Sequence, residues 1–211
     1  MEIERKIFTV GHSNHPLDFF INLILPHKIN TLIDVRSMPA SSYNPQYNKE
    51  PFTLFLKDNN IKYLHFGSEF GARHDEESYL DNNGVVDFEK FRKSYQFQSG
   101  IERVDIGISK GYKIVLMCSE GNPLECHRFS MISVYLEEIG IEVNHIMKDS
   151  TLLKHSELEN DLIKKYKKNL PEEDLFNQNI EVKDKLNKAY KLHNQEIGWK
   201  NENRNTRDYY E

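Results

Sequence analysis

Two cysteines are the most reactive side chains of this sequence. Cys118 directly follows the apolar run at 113–117, and Cys126 is followed by His127 and Arg128. A thiolate is a strong nucleophile, and cationic neighbours or a helix N-terminus lower the pKa of a thiol. The pattern predicts cysteine-dependent chemistry with Cys118 as the nucleophile. The alternative for each cysteine is a small buried core residue, as free cysteines often are.

Polar side chains also follow the other apolar runs, at positions where the ends of parallel strands present a ligand crevice. His12 and Glu120 are suited to proton transfer, so we expect them to act in catalysis together with Cys118 and Cys126. A substrate would then be held by neighbouring polar, cationic and aromatic residues, namely Asp34, Arg36, Asn14, Asn44, Tyr47, Glu69, His127 and Arg128.

Several of these residues have a structural interpretation as well. Arg36 is suited to clamping a phosphate, a sulfur oxyanion or a carboxylate, whereas Asp34 is equally suited to accepting hydrogen bonds from a neighbouring loop. Ser13 or Asn14 is expected to cap the helix that follows. The aromatic and amide residues of 41–49 suit base stacking, but without a basic stripe an ordinary ordered loop is favoured.

Sequence motifs do not support a metal or a nucleotide cofactor. Cys118, Cys126 and His127 lack the paired spacing of a structural zinc site and predict a poor match to tetrahedral coordination. Neither a GxGxxG loop nor a GxxxxGKS loop occurs, which removes most dehydrogenases and P-loop enzymes. We therefore expect neither a metal nor a cofactor.

Short apolar runs alternate with helical patterns and define the elements that must position these residues. Strands are predicted at 7–10, 31–35, 61–66, 113–117 and 141–146. Helices are predicted after Pro16 and at 52–59, 88–109 and 123–139, with a long loop at 67–84. This alternation predicts an α/β fold with a mostly parallel central sheet of about five strands, flanked by helices.

The composition changes past Lys148, where Lys, Glu, Asn and Asp dominate. Sparse apolar positions, beginning at Leu152, recur at helical spacing, and the pattern is broken at Pro171. This pattern predicts a C-terminal helical appendage. We divide the chain into an α/β domain at 1–150, the appendage packed on it at 151–200, and a frayed tail at 201–211.

Charge and hydropathy limit the partners. The 211 residues include 28 Lys and Arg against 33 Asp and Glu, a formal net charge of -5, so no global field favours nucleic acid. No apolar run approaches the roughly 18 to 20 residues that span a bilayer, and the first residues form no apolar leader. We expect a cytoplasmic protein without membrane contact, a small anionic or nucleotide-like ligand, and cysteines kept as free thiols. The oligomeric state stays open.

Five motifs together resemble the DUF488 family of domains of unknown function. They are TVGHSN at 9–14, IDVRSMP at 33–39, NPQYN at 44–48, MCSE at 117–120 and CHR at 126–128. Their order and spacing match across about residues 7 to 147, and the segment 189–199 resembles the C-terminal end of many members. The resemblance implies an α/β fold and a shared pocket built from these motifs, and it leaves the activity open.

A weaker likeness is to rhodanese-type sulfurtransferases, in which a strand ending in Asp-Val-Arg is followed by a later strand ending in Cys. Cys118 stands where the catalytic loop of that family would be. The chain departs from it in the polar segment after Arg36, in the motif at 126–128 and in the helical tail. It also lacks the Cys-x5-Arg loop of phosphatases, because Leu124 occupies the place of the arginine.

Three functions stay open at this point. The first is a cysteine-dependent transferase or hydrolase whose substrate is a sulfur donor, a phosphoryl compound or a nucleotide. The second is a nucleic-acid-associated binding or glycosylase-like module in which Arg36, Tyr43, Tyr47 and Arg73 hold a phosphate and a base, with the cysteines in the core. The third is a thiol redox sensor in which the two cysteines pair.

Overall fold

A computed structural model describes residues 4–171 and 181–200. Within these ranges one sheet contains six strands, β1 Lys6–Gly11, β2 Thr31–Asp34, β3 Lys62–His65, β4 Ile114–Cys118, β5 Glu142–Ile146 and β6 Leu152–Lys154. The spatial order is β3-β2-β4-β1-β5-β6, in which β6 runs antiparallel to β5 and every other pairing is parallel. The predicted α/β fold with a mostly parallel sheet is therefore confirmed.

The described ranges contain eight α-helices. They are α1 Leu17–Ile24, α2 Lys49–Asp58, α3 Gly67–Phe70, α4 Phe88–Arg92, α5 Tyr95–Ser109, α6 Val134–Glu138, α7 His155–Tyr166 and α8 Val182–Ile197. None of the helices in these ranges combines the length and the apolar character that crossing a bilayer needs.

The sheet is covered on both faces because its central strands are apolar on both sides. Successive side chains of β4 alternate between the faces. Val115 and Met117 join one core with residues of α1 and α2, whereas Leu116 and Cys118 join the other with residues of α5 and α6. A sheet buried in this way reads as a continuous hydrophobic run, which is why these strands were predictable from sequence.

The strand order places three carboxyl ends side by side at the centre of the sheet. The chain runs outward from β1 to β2 and β3 and then returns to β4, which lies between β2 and β1. Gly11 at the end of β1 pairs with Cys118, and Asp34 at the end of β2 pairs with Met117. This reversal of strand order is where open α/β sheets form their ligand crevice.

Some predicted elements differ from the structure. The helix predicted at 88–109 is interrupted, because the Ser94 hydroxyl accepts a hydrogen bond from the Phe97 amide over 3.1 Å and starts α5 anew. The segment predicted as a loop at 67–84 contains α3 and a 3-10 turn at Glu77–Tyr79. Leu152 belongs to β6 and not to a helix, because the chain turns back to pair with β5.

The C-terminal helices α7 and α8 pack on the sheet domain through one aromatic side chain. Phe129 is fully buried in a cluster that includes Leu158, Leu162 and Ala189. The polar pairing of Asn194 with the backbone of Val86 and Phe88, at 2.7 and 2.8 Å, fixes α8 further. The tail predicted at 201–211 lies outside the described residues.

Candidate functional site

A close approach of two loops builds the site at the centre of the sheet. The amides of His12 and Ser13 donate to the carbonyl oxygens of Cys118 and Ser119 at 2.9 and 2.8 Å, which extends the pairing of β1 with β4 beyond the strands. A Cβ atom on Gly11 would overlap the carbonyl oxygen of Glu120, so only glycine permits this approach. The two loops therefore open from the same point of the sheet.

A cavity of about 670 Å³ lies at these strand ends. Many of the residues predicted to form a site line it, namely His12, Asn14, Arg36, Asn44, Cys118, Glu120 and His127. Sequence reasoning had not assigned Ser37 to the site, and it had considered Tyr43 and Arg73 only for a nucleic-acid module; all three also line the cavity. The structure thus brings both cysteine motifs and the Asp-Val-Arg motif to one cavity.

Arg36 is held by a fixed set of hydrogen bonds. Its Nε and Nη2 atoms donate to the two carboxylate oxygens of Asp34 at 2.9 and 2.6 Å, and Nη2 also donates to the carbonyl of Tyr47 at 2.7 Å. Tyr63 donates its hydroxyl proton to Asp34 over 2.8 Å. Asp34 is fully buried and therefore orients Arg36 rather than contacting a substrate.

His12 holds the remaining side of the Arg36 guanidinium. Its Nδ1 lies 2.6 Å from the carbonyl oxygen of Ser13, which requires the ring proton there, so Nε2 accepts from Arg36 Nη1 over 3.2 Å. The ring stacks on Tyr47 at a centroid distance of 4.2 Å. Burial and the Arg36 charge lower the pKa of His12 to about 4. This arrangement suits His12 to positioning Arg36 more than to moving a proton.

The two cysteines and His127 converge because the segment after Cys118 is not the continuous helix predicted at 123–139. Residues Pro123–Glu125 form one 3-10 turn, Cys126 is extended, and Arg128–Ser133 form a π-helical turn that leads into α6. The prediction that Cys126 lies early within a helix is therefore wrong. The extended Cys126 turns its side chain back towards the end of β4.

His127 Nδ1 lies 3.8 Å from Cys118 Sγ and 3.8 Å from Cys126 Sγ. The other ring nitrogen, Nε2, lies 3.3 Å from the carbonyl oxygen of Val35 and donates to it. The backbone amide of Arg128 donates to Cys126 Sγ over 3.4 Å. Burial lowers the pKa of His127, but the Cys126 sulfur raises it more, so the pKa is raised overall. In its neutral form the ring turns an unprotonated Nδ1 towards both sulfur atoms.

The thiols differ in their tendency to ionise. Burial raises the pKa of Cys118 well above its ordinary value, and the neighbouring Cys126 sulfur raises it further. Burial alone would also raise the pKa of Cys126, but the Cys118 hydrogen bond and the charges of Arg128 and His127 bring it well below its ordinary value. The negative charge of the pair is therefore centred on Cys126.

Arg128 and Glu120 complete the charge pattern around the sulfur atoms. The Arg128 side chain is fully buried, and it donates to the carbonyl oxygens of Glu120 and Gly121 at 2.6 and 3.0 Å. No ion pair of Arg128 occurs among the described residues. Burial and the nearby Cys126 sulfur raise the pKa of the Glu120 carboxyl. Arg128 thus holds the loop after β4 and supplies positive charge beneath it.

Other predicted residues lie outside the cavity wall. Glu69 lies on α3 and forms an ion pair with Arg103. Tyr47 is fully buried, and its hydroxyl donates to the carbonyl of His15 over 2.9 Å. The expected capping by Ser13 or Asn14 is wrong, because Pro16 occupies the N-cap of α1 and no side chain caps that helix.

The side chains that could bind a metal ion are Cys118, Cys126 and His127. Their ligand atoms all lie within 4.8 Å of one another, and all three residues are buried. The structure thus places these three ligand atoms within reach of one ion, a proximity that the prediction of a poor match to tetrahedral coordination did not anticipate. That prediction relied on spacing in the chain, whereas the extended Cys126 determines where the side chains meet. A disulfide between the free thiols would require the sulfur atoms to move to about 2.05 Å.

Comparison with known proteins identifies the family. No curated protein and no solved structure matches the chain, so the likeness to rhodaneses gains no support. A family model described as Domain of unknown function DUF488 matches residues 16–136, which is more than half of the chain. This range contains Arg36, both cysteines and His127. The chain therefore belongs to the DUF488 family.

Proposed function

We propose that this protein is a cysteine-dependent transferase or hydrolase that acts on an anionic small molecule or a nucleotide-type substrate in the central cavity. One observation carries the proposal. Cys118 faces a cavity of about 670 Å³ while its sulfur shares the Nδ1 atom of His127 with a second thiol. A nucleophile, a base and a group that orients the base are the parts that covalent catalysis by cysteine needs.

Cys118 is the nucleophile in this proposal because its side chain lines the cavity, whereas Cys126 lies deeper. The unprotonated Nδ1 of His127 is placed to take the thiol proton of Cys118. The carbonyl of Val35 fixes the ring through Nε2, as the third member of a catalytic triad does. The resulting thiolate forms a bond to the substrate and displaces the leaving group, and the protonated carboxyl of Glu120 at the cavity wall donates its proton to that leaving group.

Two cations support an anionic substrate. Arg36 lines the cavity with its guanidinium held in place by Asp34 and His12. Arg73 lines the same cavity, is exposed, and makes no ion pair within 4–171 and 181–200. A fixed guanidinium and a free one suit a phosphate, sulfur oxyanion or carboxylate group. We place the activity in the cytoplasm, because both thiols are free.

The test compares thiol reactivity and turnover in matched variants. The lowered pKa of Cys126 by itself favours that sulfur, but only Cys118 lines the cavity. We therefore expect iodoacetamide to modify Cys118 in the folded protein at least about tenfold faster than Cys126, read peptide by peptide by mass spectrometry. His127→Gln should slow that modification, and it should lower turnover on a panel of sulfur donors, phosphate esters and nucleotides by on the order of 100-fold. Cys118→Ala should abolish turnover, while Cys118→Ser tests whether the hydroxyl replaces the thiol. Equal activity in wild type and Cys118→Ala would show that Cys118 is not the nucleophile.

A second candidate is a nucleic-acid-associated or glycosylase-like module. The ring of Tyr43 at the cavity wall is 92% exposed and is available for stacking on a base, and Arg73 lies at the same wall. Retention on heparin that falls steeply with salt, together with loss of retention in Tyr43→Ala and Arg73→Gln, would favour this candidate. Absence of retention at low salt would exclude a surface that binds the phosphate backbone of a nucleic acid.

A further inference from the structure

We propose that Cys118, Cys126 and His127 form a binding site for one thiophilic divalent cation of the Zn²⁺ class. The two sulfur atoms and Nδ1 of His127 are donor atoms that such cations prefer. They lie within 4.8 Å of one another on residues that are buried. The site is thus formed by side chains that already share one small volume.

The spacing of the donor atoms fits tetrahedral coordination. Zinc bonds of about 2.3 Å to sulfur and about 2.0 to 2.1 Å to nitrogen, at a tetrahedral angle, separate the two ligand atoms by about 3.6 Å. The observed separation of His127 Nδ1 from each sulfur atom is 3.8 Å. Both nitrogen-to-sulfur separations are therefore within a few tenths of an ångström of the value that zinc requires. The two sulfur atoms lie within 4.8 Å of each other, against about 3.8 Å for two sulfur ligands of one zinc ion.

The surrounding groups orient the ligands as outer-shell partners of metal sites do. His127 donates Nε2–H to the carbonyl of Val35, which leaves Nδ1 free for a metal. The backbone amide of Arg128 donates to Cys126 Sγ over 3.4 Å. Cys118 is fixed at the end of β4 by its pairing with Gly11 in the centre of the sheet. Each ligand is thus held by backbone groups.

The charge of the site also favours a thiolate-bound cation. Arg128 is fully buried, and its guanidinium makes hydrogen bonds to carbonyl oxygens and no ion pair within the part of the chain that the structure describes. A buried cation is costly without a nearby anion. Two thiolates, a neutral imidazole and a divalent cation together carry no net charge. A Glu120 carboxylate or a hydroxide at the fourth position gives the site one negative charge. That charge offsets Arg128.

The fourth coordination position faces the cavity. Cys118 and His127 both line it, and so does Glu120, whose Oε2 atom is buried without a hydrogen-bond partner among the described residues. Three protein ligands with one open position is the arrangement in which zinc also binds a water molecule or a substrate. With both sulfur atoms bound to a metal, Cys118 is no longer a free nucleophile. This regulatory consequence rests on the proposed function, whereas the metal site itself does not.

The experiment uses the full chain, stripped of metal by a chelator under reducing conditions and titrated with Zn²⁺ against a chromophoric chelator. We expect one equivalent to bind with submicromolar affinity. Cys118→Ser, Cys126→Ser and His127→Gln should each weaken binding by about 100-fold or more, with folding checked by circular dichroism. His27→Gln, in the turn after α1 and outside the cavity wall, serves as a control and should bind as wild type. Co²⁺ should show the near-ultraviolet band of sulfur-to-cobalt charge transfer.

Binding weaker than micromolar, or affinity unchanged in all three ligand variants, overturns the metal site. The same preparations separate this proposal from the cysteine chemistry. Protection of both thiols from iodoacetamide by Zn²⁺ supports a metal bound through sulfur. If Zn²⁺ binds but the metal-free Cys118 stays inert, the metal site stands and the nucleophile fails. If Cys118 is reactive and Zn²⁺ does not bind, the nucleophile stands and the metal site fails.

Discussion

A chain of buried hydrogen bonds joins the C-terminal helices to the sheet and makes stability depend on pH. Thr9 Oγ1 lies 2.8 Å from His145 Nδ1, and His145 Nε2 lies 3.2 Å from His155 Nδ1. His155 Nε2 lies 2.9 Å from the Tyr190 hydroxyl, which donates its own proton to Glu159 over 3.0 Å. The Tyr190 oxygen therefore accepts from His155, and the chain is complete only when both rings are neutral.

Protonation of these histidines opposes folding. Burial lowers the pKa of His155 from 6.5 to about 3 and lowers the pKa of His145 well below its ordinary value. Between these folded values and 6.5 the unfolded chain binds more protons than the folded one, so stability falls as the pH falls. One pH unit in this window changes the free energy by about 1.36 kcal/mol per group. Lowering the pH from 7 to 5 therefore removes about 2 kcal/mol through His155 alone.

Urea unfolding at pH 7 and at pH 5 measures this loss. We expect the free energy of unfolding of the wild type to fall by at least about 2 kcal/mol between the two conditions. In His155→Gln the fall should be smaller by about 2 kcal/mol, because the titrating ring is absent. Tyr190→Phe is the matched control, since it removes the two hydrogen bonds of the Tyr190 hydroxyl, of about 1 kcal/mol each, but keeps the titrating ring of His155. An equal pH-dependent fall in wild type and His155→Gln refutes the reasoning.

Two further substitutions test the frame of the site by urea unfolding. Asp34→Asn leaves the buried Arg36 guanidinium without its carboxylate and should lower the free energy of unfolding by about 3 kcal/mol. Arg36→Lys should also be destabilising, because lysine cannot donate to both carboxylate oxygens of Asp34. A change of less than about 1 kcal/mol in both variants would contradict a stabilising pair of Asp34 and Arg36. Gly11→Ala should cost more than about 2 kcal/mol because its Cβ meets the Glu120 carbonyl, whereas Gly140→Ala, with φ of +79° and open space around the added Cβ, should cost only about 1 kcal/mol. An equal loss of stability in Gly11→Ala and Gly140→Ala would contradict the close approach of the loops after β1 and β4.

Hydrophobic patterns in the sequence predict the five parallel strands of the sheet and the edge where the cavity lies. The central strands are apolar on both faces, so their runs are visible without tertiary context, and polar residues after each run mark the carboxyl ends of parallel strands. This reasoning located His12, Arg36 and Cys118 at one edge of the sheet before their contacts were known. The motifs that contain them also predicted the family, which the family model confirms.

The contacts among the side chains of the site could not be predicted from local sequence patterns. Cys126 faces Cys118 because Cys126 itself is extended and interrupts the predicted helix. The buried Arg128 holds the preceding loop by donating to the carbonyl oxygens of Glu120 and Gly121. Leu152 follows a helical pattern in sequence, yet it pairs with Ile146 because the chain turns back and the outer edge of β5 offers free backbone groups. No local pattern in the sequence predicts the contact between His145 and His155. Local patterns record burial and periodicity, whereas these contacts depend on which distant segments the fold brings together.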